Sequence, residues 1–245
     1  TGVHFWTGIS STTSFFVQEL KLTKEIVYFG LNEENNIRAI NINYNNNGTS
    51  FDVTVENKLY GHFDLPIYGH HQLMDALAVI SVCYYENIDK QEINTHFQTF
   101  KGANRRFTET FIKNNVIIDD YAHHPTEIKS TINAIKQKYP EKLIISIFQP
   151  HTFTRTEEFA SDIADVLSET NYAYILDIHP AREKQEDYPH ITKNIIIDKY
   201  DNIYPLTIND ANILNKHKDA VFIFMSPNDI SKLENDLINL KESEK

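Results

Sequence analysis

Carboxylates and imidazoles crowd one short stretch of this chain, Asp119-Asp120-Tyr121-Ala122-His123-His124-Pro125-Thr126-Glu127. Carboxylates can accept hydrogen bonds from ribose hydroxyls or hold a hard cation, while histidines can donate to phosphate or move protons near neutral pH. Pro125 starts a helix, and a helix start favours anions. The same aspartates could instead cap backbone amides and leave the histidines as surface residues. A metal-dependent hydrolase built on Asp119, Asp120, His123 and His124 is a further reading, but it explains neither Arg106 nor the Gln149 to Thr156 stretch. A second stretch, Phe148 to Thr156, puts Arg155 in the first turn of a helix. A cation there opposes the helix dipole, so a fork aimed at a carboxylate is better motivated than a stabilising role; the bland alternative is a solvated arginine. Gly102-Ala103-Asn104-Arg105-Arg106-Phe107 sets two arginines side by side, for phosphate or for neighbouring acids. Asp177 to Lys184, with Arg182 inside it, mixes charges as solvated loops do. His71 and Asp75 stand at four-residue spacing, which lets one helix face present both to a metal or a ligand, or to each other as a surface contact.

These groups need elements to hold them. Glu25 to Phe29, Ile37 to Tyr44, Ser50 to Glu56 and Leu59 to Phe63 read as strands, with Asn45-Asn46-Asn47-Gly48 as a hairpin turn. Leu73, Ala76, Leu77, Ile80 and Tyr84 recur at helical spacing and predict a helix over 70–86. Asp89 is its successor's N-cap, with Glu92 three residues on and Gly102 as the stop. Beyond Arg106 the pattern alternates: strands at 116–118, 143–148, 172–176 and 220–224, helices at 125–138, 155–167, 209–216 and 228–240, and a short strand at 194–197. Alternation with apolar strands predicts an α/β fold, a doubly wound, Rossmann-like, mostly parallel sheet, preceded by a β-rich segment. The domain boundary falls near residue 107, giving 1–107 and 108–245. Ligands of such sheets bind at the strands' carboxyl ends, where the three loops above lie.

Composition narrows the classes. The 245 residues, 41% of them hydrophobic, suffice for one large or two small cores. With 34 acidic against 23 basic residues the net charge is -11, which disfavours nucleic-acid backbones and anionic membranes as partners. Cys83 is the single cysteine, fitting a reducing compartment, with the cytoplasm as the default. No stretch approaches the roughly 20 apolar residues that span a bilayer.

Read in order, Asn104-Arg105-Arg106-Phe107, the 119–127 stretch, Gln149 to Thr156 (QPHTFTRT) and Pro180 to Lys184 resemble the Mur ligases, and within them the members that add L-alanine to UDP-N-acetylmuramate. The resemblance covers about residues 25 to 245. It implies ATP- and Mg²⁺-dependent amide formation through an acyl phosphate, in peptidoglycan synthesis. By resemblance Arg106 contacts ATP phosphate and Asp120 the ribose. Tyr121, His123, His124, Arg155 and Arg182 line the amino-acid and carboxylate site. His71, Gln72 and Asp75 stand where the family's His-Asn-x-x-Asn helix start meets adenine, but Asp75 cannot donate as an asparagine does. Thr1 to Ser14 looks like a relic of the family P-loop, in which Ile9 takes the lysine position and Ser10 could still ligate Mg²⁺. The chain is expected to be the end of the ATP domain plus the C-terminal domain, with self-association or preceding domains covering what it exposes. A binding module without turnover is the competing expectation.

Overall fold

A computed structural model describes residues 4–7, 26–100 and 105–243 of the chain. They divide into two compact units, Thr1–Lys101 and Gly102–Lys245. Of the expected P-loop relic only His4–Thr7 are described; Ile9 and Ser10 lie outside the described residues, as does Gly102.

In the first unit, strands β1 (His4–Thr7), β2 (Ile26–Gly30), β3 (Ile37–Asn45), β4 (Gly48–Val55) and β5 (Lys58–Leu65) form one sheet in sequence order. β1, β2 and β3 pair in parallel, and β3 to β5 are antiparallel hairpins. Helices α1 (His70–Tyr85) and α2 (Lys90–Thr99) follow. Alternation places Phe51, Val53, Phe63 and Leu65 on one sheet face, where they share a core with Leu73, Leu77 and Ile80 of α1. The Asn-rich turn forms as its chemistry predicts: the Asn45 side chain accepts from the Asn47 amide at 2.8 Å, and Gly48 has φ 135°. A Cβ there would lie 2.3 Å from the Leu65 carbonyl oxygen, so only glycine fits. Asp89 caps α2 by accepting from the Gln91 amide.

A bulge between Ile40 and Asn43, with Asn41 at φ 52°, turns Asn41 toward Asp52. Asn41 donates to Asp52 Oδ2 at 2.7 Å, while His62 lies 2.7 Å from Asp52 Oδ1 and 3.6 Å from Asp64. The hydrogen bond to Asp52 raises the His62 pKa, and Asn41 and His62 lower that of Asp52. The His62 contribution is therefore full below its unfolded value, ~6.5, and fades as pH rises through the higher folded value. The Asp52 contribution is present above ~3.9 and fades as pH falls through its lowered value. For groups this exposed the effect is less than about 1 kcal/mol. We expect the wild-type denaturant midpoint to fall slightly between about pH 5 and about pH 9, and His62→Gln to flatten that change. Equal pH slopes for the two proteins would refute the assignment.

The second unit is a six-stranded sheet of order β10-β9-β8-β11-β7-β6. Its strands are β6 (Thr108–Ile112), β7 (Asn115–Asp120), β8 (Leu143–Phe148), β9 (Tyr172–Ile175), β10 (Ile203–Pro205) and β11 (Ala220–Met225). All neighbours are parallel except β6, which folds back on β7. Successive strand residues serve opposite faces. Val116, Ile118, Val221 and Ile223 meet α3 (Pro125–Lys138), α4 (Phe153–Ser168) and α5 (Asn194–Ile197). Ile117, Ile145, Phe222 and Phe224 meet α6 (Ala211–Asn215) and α7 (Ser231–Ser243). This is the doubly wound α/β sheet expected, preceded by a β-rich unit. The largest departure is Asn194–Ile197, read as a strand and found as one helical turn. Its isoleucines bury onto the α4 side of the core, and the edge strand is supplied instead by Ile203–Pro205. β6 is an addition; its hairpin turns through Lys113 at φ 52°. The 105–107 turn, bonded to the end of β7 and to Tyr121, belongs to the second unit.

Candidate active site at the carboxyl edge of the second sheet

Asp119 and Asp120 end β7 facing different tasks. Asp120 is 6% exposed and accepts from the Phe107 and Ala122 amides, each at 2.9 Å, and from Thr131 Oγ1 at 3.2 Å. Burial raises its pKa against those bonds. Asp119 is held by Arg105, whose Nε donates to Oδ2 at 3.0 Å. The same guanidinium donates to the Ser226 and Asn228 carbonyls at 2.9 and 3.2 Å, tying β7 to the turn after β11. The adjacent arginines have thus been divided: Arg105 pairs with an acid, while Arg106 is exposed beside the Tyr121 ring, 5.8 Å from its centroid. Arg106 is also close enough to help lower Asp120 and Glu127.

Asp120→Asn is expected to destabilise the second unit by about 2 kcal/mol, since one amide end must turn an N–H toward a backbone N–H. Urea unfolding measures it; a change under about 0.5 kcal/mol would mean the loop has another closure.

His123 and His124 also part company. His124 is the N-cap of α3, its Nδ1 accepting from the Thr126 amide at 3.3 Å and its ring edge-on to Phe159. The cap occupies Nδ1 of the ring, so a ligand at His124 would have to use Nε2. His123 lies 3.2 Å from Glu127, whose carboxylate also takes the His123 and His124 amides. Burial pushes the Glu127 pKa up, but these bonds from His123 outweigh it and hold it low.

After β8, Gln149 collects the neighbouring strand ends. Its Oε1 accepts from Ser226 Oγ at 3.0 Å and Asn228 Nδ2 at 3.3 Å, and its Nε2 donates to the Asp177 carbonyl at 3.4 Å. His151 and His179 form a parallel backbone bridge and stack, with centroids 5.7 Å apart at 15°. His123 is 6.4 Å from His151. Burial, then the charges of His179, Arg155 and His123, push the His151 pKa down, so it is neutral near pH 7. Thr152 caps α4 with φ 62°, an outlier for a β-branched residue, and its amide donates to the His179 carbonyl at 2.8 Å.

Arg155, the third residue of α4, is half-buried, and among the described residues its guanidinium makes no hydrogen bond or ion pair. The anionic end of this site is instead Glu183. It accepts from the Phe153 amide, the Thr154 amide at 3.1 Å and Thr154 Oγ1 at 2.6 Å. Arg182 is exposed on the same turn, next to Ala181 at φ 52°. Sequence reading missed Glu183 and Gln149, because their partners lie about thirty residues or more away and no local spacing announces them.

His71, Gln72 and Asp75 belong to the first unit. Gln72 Nε2 lies 3.2 Å from His71 Nε2, and Asp75 is exposed one turn on. No group of three or more His, Cys, Asp or Glu side chains suited to a metal occurs among the described residues. No described helix is long and apolar enough to cross a membrane.

Residues 105–222 match the family described as Mur ligase, glutamate ligase domain. The UDP-N-acetylmuramate-alanine ligase of Thermotoga maritima is 22% identical with a TM-score of 0.72, over 89% of this chain and 48% of that one. MurF of Acinetobacter baumannii is 16% identical with a TM-score of 0.76, over 97% and 52%. The MurF ligase of Thermotoga maritima in complex with ADP is 16% identical with a TM-score of 0.70, over 97% and 54%. At such identities the likeness concerns the fold, and this chain spans about half the length of these solved relatives.

Proposed function

We propose, on the premise that residues 105–222 form a Mur ligase, glutamate ligase domain, that this chain carries the amino-acid-receiving part of an ATP-dependent acid–amino-acid ligase. Arg155 carries the reading: a half-buried guanidinium without an anionic partner among the described residues, at the carboxyl edge of a parallel sheet, is suited to receive a carboxylate. The resemblance of the QPHTFTRT stretch around it to the alanine-adding members supports L-alanine as the amino acid and UDP-N-acetylmuramate as the acid.

ATP, with Mg²⁺, would supply the phosphoryl group that activates the acid, and ADP bound by a solved relative agrees with a nucleotide role. The residues present fit it in part. Arg106 is an exposed cation beside the exposed Tyr121 ring, suited to a phosphate. Asp120 Oδ2 accepts from the Phe107 amide and keeps a lone pair for a ribose hydroxyl. His151, held neutral, adds no charge against an incoming ammonium group.

The second reading is a nucleotide- or amino-acid-binding module without turnover, favoured by Ile9, which leaves the P-loop-like stretch without its lysine. Titration with Mg-ATP and with L-alanine, then a phosphate-release assay with UDP-N-acetylmuramate present, separates the two. Release that requires both substrates supports ligation. Binding without release supports the module, and no binding of either ligand overturns both.

A further inference from the structure

The charge-rich 177–184 loop, which composition marks as a solvated segment, contains the one carboxylate that closes the start of α4. Glu183 takes the Phe153 and Thr154 amide hydrogens and the Thr154 hydroxyl, and Tyr188 adds its own hydroxyl to Thr154 Oγ1 at 2.9 Å. Tyr188 also stacks on Phe153, with centroids 5.6 Å apart at 23°. The two segments are joined further by the His151–His179 bridge and the Thr152 and His179 amides. Both carry backbone in the left-handed region, Thr152 at φ 62° and Ala181 at φ 52°, geometry that persists only where surrounding bonds impose it. Burial works against the Glu183 charge, but the bonds from Thr154 and Phe153 hold its carboxyl below the ordinary range, so it is ionised at neutral pH.

We propose that Glu183 is a positioning residue for carboxylate recognition by Arg155. The start of a sixteen-residue helix is an anion site in its own right, one residue from Arg155. With that site filled from within the chain, a ligand carboxylate is directed to the Arg155 fork, and the helical turn that carries Arg155 is held in one place. The inference rests on the carboxylate reading of Arg155, and the test separates their failures.

The full chain, ¹⁵N-labelled, is titrated with L-alanine and separately with acetate, following the Arg155 Nε–H resonance and the Phe153 and Thr154 amides in wild type, Glu183→Ala and Glu183→Gln. In wild type we expect L-alanine to move Arg155, and acetate to leave both amides in place. In Glu183→Ala the amides should respond to acetate, and the L-alanine affinity read at Arg155 should fall about tenfold. Glu183→Gln keeps an acceptor without the charge, so it should restore the Arg155 response more than the exclusion of acetate; it also carries the comparison if the alanine variant does not fold. A role confined to stability would lower the melting temperature without creating an acetate response at the amides. An Arg155 response in wild type that both variants leave unchanged overturns the role of Glu183. Silence of Arg155 in wild type overturns the reading of the site itself.

Discussion

Replacing Arg155 with alanine is expected to weaken L-alanine binding ~100-fold, the effect of losing about 3 kcal/mol of charge-assisted hydrogen bonding. Thermal unfolding should meanwhile move by no more than about 2 °C. The asymmetry follows from the bonding. Arg155 has no hydrogen bond or ion pair from its guanidinium among the described residues, so its removal leaves no internal partner unsatisfied. A cation in the first turn also opposes the helix dipole. Arg105 would behave in the opposite way, because Asp119 and two carbonyls depend on it. Arg155→Lys preserves the charge but not the planar fork, and should recover only part of the affinity. Calorimetric titration alongside thermal melts reads both quantities. A large fall in melting temperature with unchanged affinity would make Arg155 a structural residue and remove the ground for the ligase reading.

Lys241→Met is expected to cost about 3 kcal/mol of stability, measured as a shift in the urea midpoint at unchanged slope. Lys241 is 0% exposed. Its ammonium donates to the Asn215 carbonyl at 2.9 Å and to the His217 carbonyl, and lies 5.2 Å from the centre of the Phe222 ring. It thereby holds the last helix against the end of α6. Methionine matches the stem in volume but cannot donate, so the variant strands carbonyl oxygens in a site with little access to water. The nearby His217 ring already has its Nε2 engaged by the Tyr174 hydroxyl at 2.9 Å, and burial pushes the Tyr174 pKa up to about 12, keeping it neutral. A cost under about 1 kcal/mol would show that water reaches the carbonyls once the ammonium is gone.

Most of the doubly wound unit was legible because its strands bury both faces and its helices bury one, two periodicities that composition cannot disguise. The helix at Pro125–Lys138 and the strand at Leu143–Phe148 lie where the pattern puts them. Asn194–Ile197 fails the same test for a physical reason: four residues are too few for period to distinguish a strand from a helical turn, and burial against α4 decided it. Short edge elements such as Ile203–Pro205 carry too little pattern to be seen.

The residue types and spacing of 119–127 and 149–156 by themselves determined where chemistry could gather, since loops at the carboxyl ends of parallel strands converge whatever their detailed sequence. They could not assign the parts. Only the tertiary structure decided that Arg105 binds Asp119 while Arg106 faces outward, that His124 caps a helix while His123 sits 6.4 Å from His151, and that Glu183 closes the helix carrying Arg155. Chemically equivalent neighbours in sequence are distinguished by which distant group reaches them first. Those partners come from strands and loops that the sheet order makes adjacent in space, a relation that local spacing does not encode.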